Sequence, residues 1–205
     1  KESPTELLKA LEKVEGIKWI RMLYLYPDGI TSEMIEVLKS SDKFVKYFDM
    51  PLQHINNDVL KRMNRKMTRE EIVSVLNTIR KEIPDAVIRT QFIVGFPGET
   101  EENFEELLKF ISEQKFDRVG CFQYSPEEST PGGKMADQVY EKIKQFRMDA
   151  VMQIQQNISR EKHRAFIGKT VEVVVEGLSE ETDLLLQGRT SQQAPDIDGV
   201  VLIND

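Results

Sequence analysis

The sequence of 205 residues holds a single cysteine, two histidines and one tryptophan. A lone Cys121 excludes an intrachain disulfide framework and any metal site built from several cysteines of this chain. It sits in Arg118-Val119-Gly120-Cys121-Phe122-Gln123-Tyr124, which alternates like a strand, and no catalytic histidine pattern accompanies it. A buried structural thiol is therefore expected. No apolar run approaches the ~20 residues that a membrane-crossing helix needs. The opening Lys1-Glu2-Ser3-Pro4 has no signal-peptide apolar core, so a cytoplasmic location is expected. Positive charge is also in short supply: 28 Lys and Arg stand against 35 Asp and Glu, a net charge of −7. That balance argues against a general nucleic-acid binder, whose affinity would come from neutralising phosphates.

The acidic excess is concentrated at one end. From Lys169 onward the acids are Glu172, Glu176, Glu180, Glu181, Asp183, Asp196, Asp198 and Asp205, against Lys169 and Arg189 alone. Before that point the pattern alternates between helix and strand. Leu7, Leu8, Leu11 and Val14 have helical spacing behind a Ser3 cap and Pro4, with Gly16 as the stop. Residues 19–25 read as a strand ended by Pro27-Asp28-Gly29, and Thr31 or Ser32 caps a helix carrying Met34, Ile35, Val37 and Leu38. Residues 47–50 form a short strand running into Pro51-Leu52-Gln53-His54. Two helices follow, the second opened by the capping box Thr68-Arg69-Glu70-Glu71. Residues 86–94 are a strand, 99–114 an amphipathic helix and 117–124 another strand.

Strands joined by crossover-length helices imply a parallel α/β sheet, open or barrel-like. The chain opens on a helix, so preceding βα units are expected to be absent from it. A long helix is expected over 138–166, with Val139, Ile143, Phe146, Ala150, Ile154, Ile158 and Ala165 along one stripe. After Gly168, partial alternation over 171–176, apolar Leu184 to Leu186, and Asp198-Gly199 before Val200 to Ile203 indicate a small all-β module. The expected division is therefore 1–167 and 168–205.

The strongest local motif is Arg89-Thr90-Gln91-Phe92-Ile93-Val94-Gly95-Phe96-Pro97-Gly98-Glu99-Thr100. A strand runs through a glycine-rich turn into a helix, at the strand end where parallel sheets bind ligands. Glycines admit a ligand close to the backbone, and free amides suit its polar groups. An ordinary tight turn, with Glu99 favourably placed in the first helical turn, fits equally well. Gln53 and His54 lie at the same end of the preceding strand, although a lone histidine is more often structural. Arg89 and Gln91 share one strand face. A buried Arg89 would need an acidic partner, either a ligand carboxylate or a protein acid such as Asp49.

Six segments in order now carry a resemblance. They are Leu23-Tyr24-Leu25-Tyr26-Pro27-Asp28-Gly29, Pro51-Leu52-Gln53-His54-Ile55-Asn56, residues 59–65, Gly95-Phe96-Pro97-Gly98-Glu99-Thr100, residues 124–131 and Gly188-Arg189-Thr190. Together they resemble the radical S-adenosylmethionine (SAM) methylthiotransferases along essentially the whole chain. The resemblance implies a radical-SAM partial β/α barrel, truncated on its N-terminal side, followed by a small TRAM β-barrel. It implies SAM and two [4Fe-4S] clusters as cofactors. The cluster ligands are not in this chain, which is expected to bind no cluster and to be inactive alone. It implies further that Gly95, Phe96, Pro97 and Gly98 lie against the adenine of SAM, and that Gln53, His54, Arg89 and Gln91 line the cavity.

Within that family one branch modifies a tRNA adenosine beside the anticodon. Another modifies an aspartate of protein twelve of the small ribosomal subunit. The Tyr24–Gly29 and Pro51–Asn56 segments resemble the second. An acidic module would repel RNA and complement a basic ribosomal protein. The expected partner is therefore that protein, contacted partly by the acidic C-terminal module, with no membrane and no nucleic acid as direct substrate. A non-catalytic binding module is the remaining alternative, disfavoured by the intact glycine turn, Gln53 and Arg89.

Overall fold

The computed structural model describes residues 3–204, and four strands set its frame. They are β1 (Ile20–Met22), β2 (Phe44–Asp49), β3 (Val87–Val94) and β4 (Arg118–Gln123), all parallel and in sequence order across the sheet. The intervening helices are α2 (Ser32–Ser40), α3 (Asn57–Arg62), α4 (Arg69–Glu82) and α5 (Glu101–Gln114). Helix α1 (Pro4–Glu12) precedes them and α6 (Glu141–Arg164) closes the series. Helix starts follow local chemistry. Ser3, Thr68 and Thr100 each form a capping box, while Thr31 and Asn56 accept from first-turn amides.

The pleat sorts β3 into two faces. Ile88, Thr90, Phe92 and Val94 are sealed beneath the helices, where Phe92, Phe110 and Phe116 meet edge to face at 5.6–6.4 Å. Arg89 and Gln91 look to the concave face, in register with Asp49, Arg118 and Gly120 of the neighbouring strands. The half-barrel expected from the alternation is thus present as a four-stranded parallel sheet with helices on one side.

The long helix differs from expectation in its buried face. Its inward residues are Lys144, Arg147, Val151, Gln155 and Ile158, whereas Phe146 is 64% exposed and Ile143 39%. Of the expected stripe, Ile143 and Phe146 turn outward, while Ile158 is buried and Ala150 and Ile154 pack on the core. The polar residues there are tolerated because each meets a partner: Lys144 Nζ donates to the Tyr124 carbonyl at 2.8 Å, and Gln155 donates to that of Phe116 at 3.1 Å.

The C-terminal region forms an antiparallel sheet of β5 (Val174–Leu178), β6 (Leu186–Arg189) and β7 (Val201–Ile203). Between β6 and β7 the chain leaves this sheet and enters the concave face of the larger one. Ala194 packs on Tyr47 and Val87, and the Gln193 carbonyl accepts from Arg21 at 2.8 Å. Asp198 accepts from the Tyr47 hydroxyl at 2.7 Å and from the Ala194 amide at 2.9 Å. Arg118 and Arg89 stand 3.8 and 3.9 Å from its other oxygen. This placement corrects the expectation of one exposed acidic cluster. The Asp198 side chain is 3% exposed and neutralised inside the molecule, Glu172 pairs with Lys18, and Glu176 pairs with Arg189. Glu180, Glu181, Asp183 and Asp196 remain exposed.

Candidate functional site

Strand β2 ends at Asp49, and Pro51, which has no N–H to give, interrupts its ladder. Pairing resumes one residue out of step, at Gln53 opposite Phe92, with Gln53 at φ 70°. The Gln53 amide donates to the Gln91 carbonyl at 2.9 Å, and its carbonyl accepts from Ile93 at 2.8 Å. Gln53 and Gln91 are thus brought together on neighbouring strands, both half-buried. Phe122 and Tyr24, 53% and 66% exposed, stand at the same end of the sheet.

His54 belongs elsewhere. It is fully buried, so the expectation that it lines the cavity is corrected. The bulge at Gln53 breaks the strand alternation and turns the imidazole into the interior. There Nδ1 accepts from the Asn56 amide at 3.0 Å. Its Nε2 therefore carries the proton and lies 4.0 Å from Glu99.

Arg89 finds its counter-charge within the protein. Its guanidinium donates to Asp49 at 2.8 Å, and the second Asp49 oxygen accepts from the Tyr24 amide at 3.0 Å. With the Gln91 amide oriented by its hydrogen bonds, Gln91 oxygen accepts from Arg89 at 2.7 Å. Of the two partners open to Arg89, Asp49 is the one present. Arg89 organises the concave face and is not a free cation awaiting a carboxylate.

The glycine turn departs most from expectation. Glu99 is not an exposed first-turn residue; it is 4% exposed and folds back over its own turn. One carboxylate oxygen accepts from both the Gly95 and Phe96 amides. The Gly98 amide donates to the Asp137 carbonyl at 2.9 Å. The amides that were expected to be free are therefore consumed internally. The turn is buried at Gly95, Phe96 and Pro97, and the Phe96 ring meets Tyr124 at 4.8 Å. Gly95 and Gly98 are required on two counts. Both have positive φ, and a Cβ at Gly95 would fall 2.3 Å from the Lys144 side chain, one at Gly98 2.5 Å from the Arg62 guanidinium. Arg62 in turn donates to the Pro97 carbonyl at 2.9 Å and to Asp137 at 2.5 Å, which clamps the turn from outside.

Arg147 holds the other side of Glu99, at 3.2 Å, and donates to its carbonyl at 3.1 Å. Sequence reasoning missed Arg147, Lys144 and Arg62. The usable signal was a pair of cations on the same helical face as Val151 and Ile158, a spacing that an all-apolar template overlooks.

Burial governs titration here. It pushes the Glu99 carboxyl up to about 7 against the pull of Arg147 and the two amides. Burial, and then Arg147, push His54 down to about 3. The two act in opposite senses on stability. Glu99, raised from 4.5, contributes stability that is complete below 4.5 and is lost as pH rises through 7. His54, depressed from 6.5, contributes stability that is complete above 6.5 and is lost as pH falls toward 3. Replacing His54→Asn, which keeps an acceptor for the Asn56 amide, should therefore flatten the acid limb. The wild type should lose up to ~1.4 kcal/mol more per pH unit than the variant between pH 6 and 4. Urea unfolding across that range tests it, and parallel curves would contradict it.

Cys121 is half-buried with its thiol pushed up to about 12, first by burial and then by Glu99, which makes it a poor ligand or nucleophile. Among the described residues no group of three or more His, Cys, Asp or Glu is placed to hold a metal. The residues present thus do not fit an iron–sulfur cluster. They do offer the half-buried Gln53 and Gln91 at the C-terminal end of a parallel sheet, where ligands bind.

Comparison with known proteins gives these features a setting. The TRAM domain pattern matches residues 167–205. The ribosomal protein uS12 methylthiotransferase RimO of Bdellovibrio bacteriovorus is 72% identical over 205 residues, covering all of this chain and 45% of that protein. Its namesake in Geobacter sulfurreducens is 51% identical over 197 residues, 96% of this chain and 44% of that one. The chain thus spans less than half the length of these relatives. Among solved structures, the radical SAM enzyme coproporphyrinogen III oxidase (HemN) of Escherichia coli superposes with a TM-score of 0.54. It is 23% identical over 81% of this chain and 40% of its own, a likeness of fold alone. The Radical SAM superfamily pattern matches residues 3–111, more than half of the sequence, and the chain belongs to the radical SAM superfamily.

Proposed function

We propose that this chain is the substrate- and SAM-facing part of a methylthiotransferase that places a methylthio group on the β-carbon of an aspartate in ribosomal protein uS12. The observation that carries the reading is 72% identity, without interruption, to a relative of that name. The cofactors are S-adenosylmethionine and two [4Fe-4S] clusters. The thiolates those clusters need exceed the single cysteine here. When bound, SAM and its cluster supply the radical, and the protein's task is to position and shield.

In this reading Gly95 and Gly98 allow the turn to approach the adenine, with Phe96 and Pro97 closing its apolar edge. Gln53 and Gln91 offer amide groups beside it. Arg89 acts through Gln91 and Asp49, fixing both, and His54 packs beneath the turn. Residues 1–167 form the radical-SAM unit and 168–205 the TRAM unit. The exposed Glu180, Glu181 and Asp183 favour a basic protein over RNA as partner. The test is a reaction of a longer protein that contains this chain and supplies the cluster thiolates, reconstituted with its clusters, with uS12 and SAM, followed by peptide mapping. A methylthio group on one uS12 aspartate is expected. Its appearance on an adenosine of an anticodon stem-loop instead would replace this reading with the tRNA alternative.

A further inference from the structure

The segments Tyr24–Gly29 and Pro51–Asn56 lie 22 residues or more apart in sequence, yet they meet. Tyr26-Pro27-Asp28 and Pro51-Leu52 form two walls of one cavity of about 500 Å³ at the C-terminal ends of β1 and β2. The loop after α3 supplies the third wall through Asn64, Arg65, Lys66 and Met67. The position is the ligand-binding end of a parallel sheet. Its volume suits a short peptide segment and not a whole nucleic-acid strand.

The chemistry of the lining is mixed in an informative way. The floor is apolar: Leu52, Leu60 and Ile72 are each at most 4% exposed, with Met67 beside them. The rim carries two cations, Arg65 and Lys66, and one acid, Asp28. Arg65 and Lys66 have no carboxylate within ion-pair distance among the described residues, although most other arginines of the protein do or are otherwise bound. Arg65 is also held in place. Asn64 takes the left-handed conformation at φ 57° and ends α3, and the Arg65 amide then donates back to the Leu60 carbonyl at 2.8 Å. The Arg65 guanidinium sits 5.9 Å from the Tyr26 ring centre, with one nitrogen 3.5 Å from the Tyr26 hydroxyl. A guanidinium 5.9 Å from an aromatic ring centre, at the mouth of an apolar hole, suits a carboxylate with an apolar neighbour.

We propose that this cavity is the substrate-specificity pocket, and that it takes the aspartate-bearing segment of the protein substrate. Arg65, with Lys66, engages an acidic side chain, and an adjoining apolar residue fills the hole over Leu52 and Leu60. This rests on the uS12 reading above and deepens it. The apolar floor argues against RNA as occupant, because a phosphate backbone would gain nothing from it.

The test uses a synthetic peptide carrying the modified aspartate of uS12 and its neighbours, and the same peptide with asparagine. Calorimetric titration into the protein should show the aspartate peptide binding about tenfold or more tightly than the asparagine one. Arg65→Glu should remove that preference, and Arg65→Gln should reduce it, while Tyr26→Leu weakens both peptides. In turnover by a longer, cluster-bearing protein that contains this chain, the Arg65 variants should lower kcat/KM for uS12. Arg65 is a surface residue, and circular dichroism checks that each variant is folded. If the wild type binds and modifies uS12 but the Arg65 variants bind the peptide equally well, the pocket assignment is overturned and the uS12 reading stands. If the longer cluster-bearing protein modifies no uS12 at all, both fall. Arg65-dependent binding of an anticodon stem-loop RNA in place of the peptide would also overturn the proposal.

Discussion

Arg147→Met should lower the unfolding free energy by about 3–5 kcal/mol, because it leaves the Glu99 carboxylate buried and without its counter-charge. Glu99 has no solvent to fall back on: its side chain is fully buried, and only the Gly95 and Phe96 amides would remain. The pH dependence has a definite sign. Without Arg147 the Glu99 carboxyl must rise above about 7, so the variant's deficit should be largest at pH 8 and shrink toward pH 5 as the group takes a proton. Glu99→Gln in the same background should recover part of the loss, since it removes the charge that Arg147 balanced. A double-mutant cycle by urea unfolding measures this coupling. A cost below 1 kcal/mol for Arg147→Met, independent of pH, would mean that the carboxylate is satisfied by the amides alone.

Asp198→Ala should release the β6–β7 segment from the concave face, at a cost of about 3 kcal/mol. Four groups lose a partner at once: the Tyr47 hydroxyl, the Ala194 amide, and the Arg89 and Arg118 guanidiniums. Burial and the Asp198 carboxylate hold the Tyr47 phenol above its ordinary value, and removing the carboxylate should bring it down. Asp198→Asn keeps a hydrogen-bond acceptor without the charge and should fall between wild type and Asp198→Ala. Amide hydrogen exchange gives the local reading: protection over 190–199 should drop in Asp198→Ala before the core strands are affected. Unchanged protection there would show that Ala194 packing alone anchors the segment.

The backbone plan was legible because its signals are local. Capping residues and strand-terminating glycines and prolines stand beside the elements they bound, as Thr68 and Gly95 show. The candidate site was legible in position but not in wiring. The Gly95–Gly98 turn lies where the strand pattern placed it, yet its donors are occupied by a carboxylate only a few residues along the chain. Whether Glu99 points to solvent or folds inward is decided by Arg147, 48 residues away, and no local pattern carries that information. The inward face of α6 was misread in part, for the same reason. A buried Lys144 or Arg147 is inadmissible until its partner on another element is known. His54 was misplaced by the single-residue slip at Gln53, which reverses every side chain beyond it. Asp198 looked like one of a set of surface acids, and only the three-dimensional return of its loop separates it from Glu180, Glu181 and Asp183.

The central claim is that the protein modifies one aspartate of uS12. The most direct measurement is the intact mass and peptide map of uS12 taken from ribosomes of cells with and without the gene for this protein. The account predicts a methylthio group on a single aspartate in the first case, its loss in the second, and its return on complementation with wild type but not with the Arg65→Glu variant at low expression. An unchanged uS12 mass in the deletion strain, with loss of a methylthio group from tRNA adenosine, would contradict it.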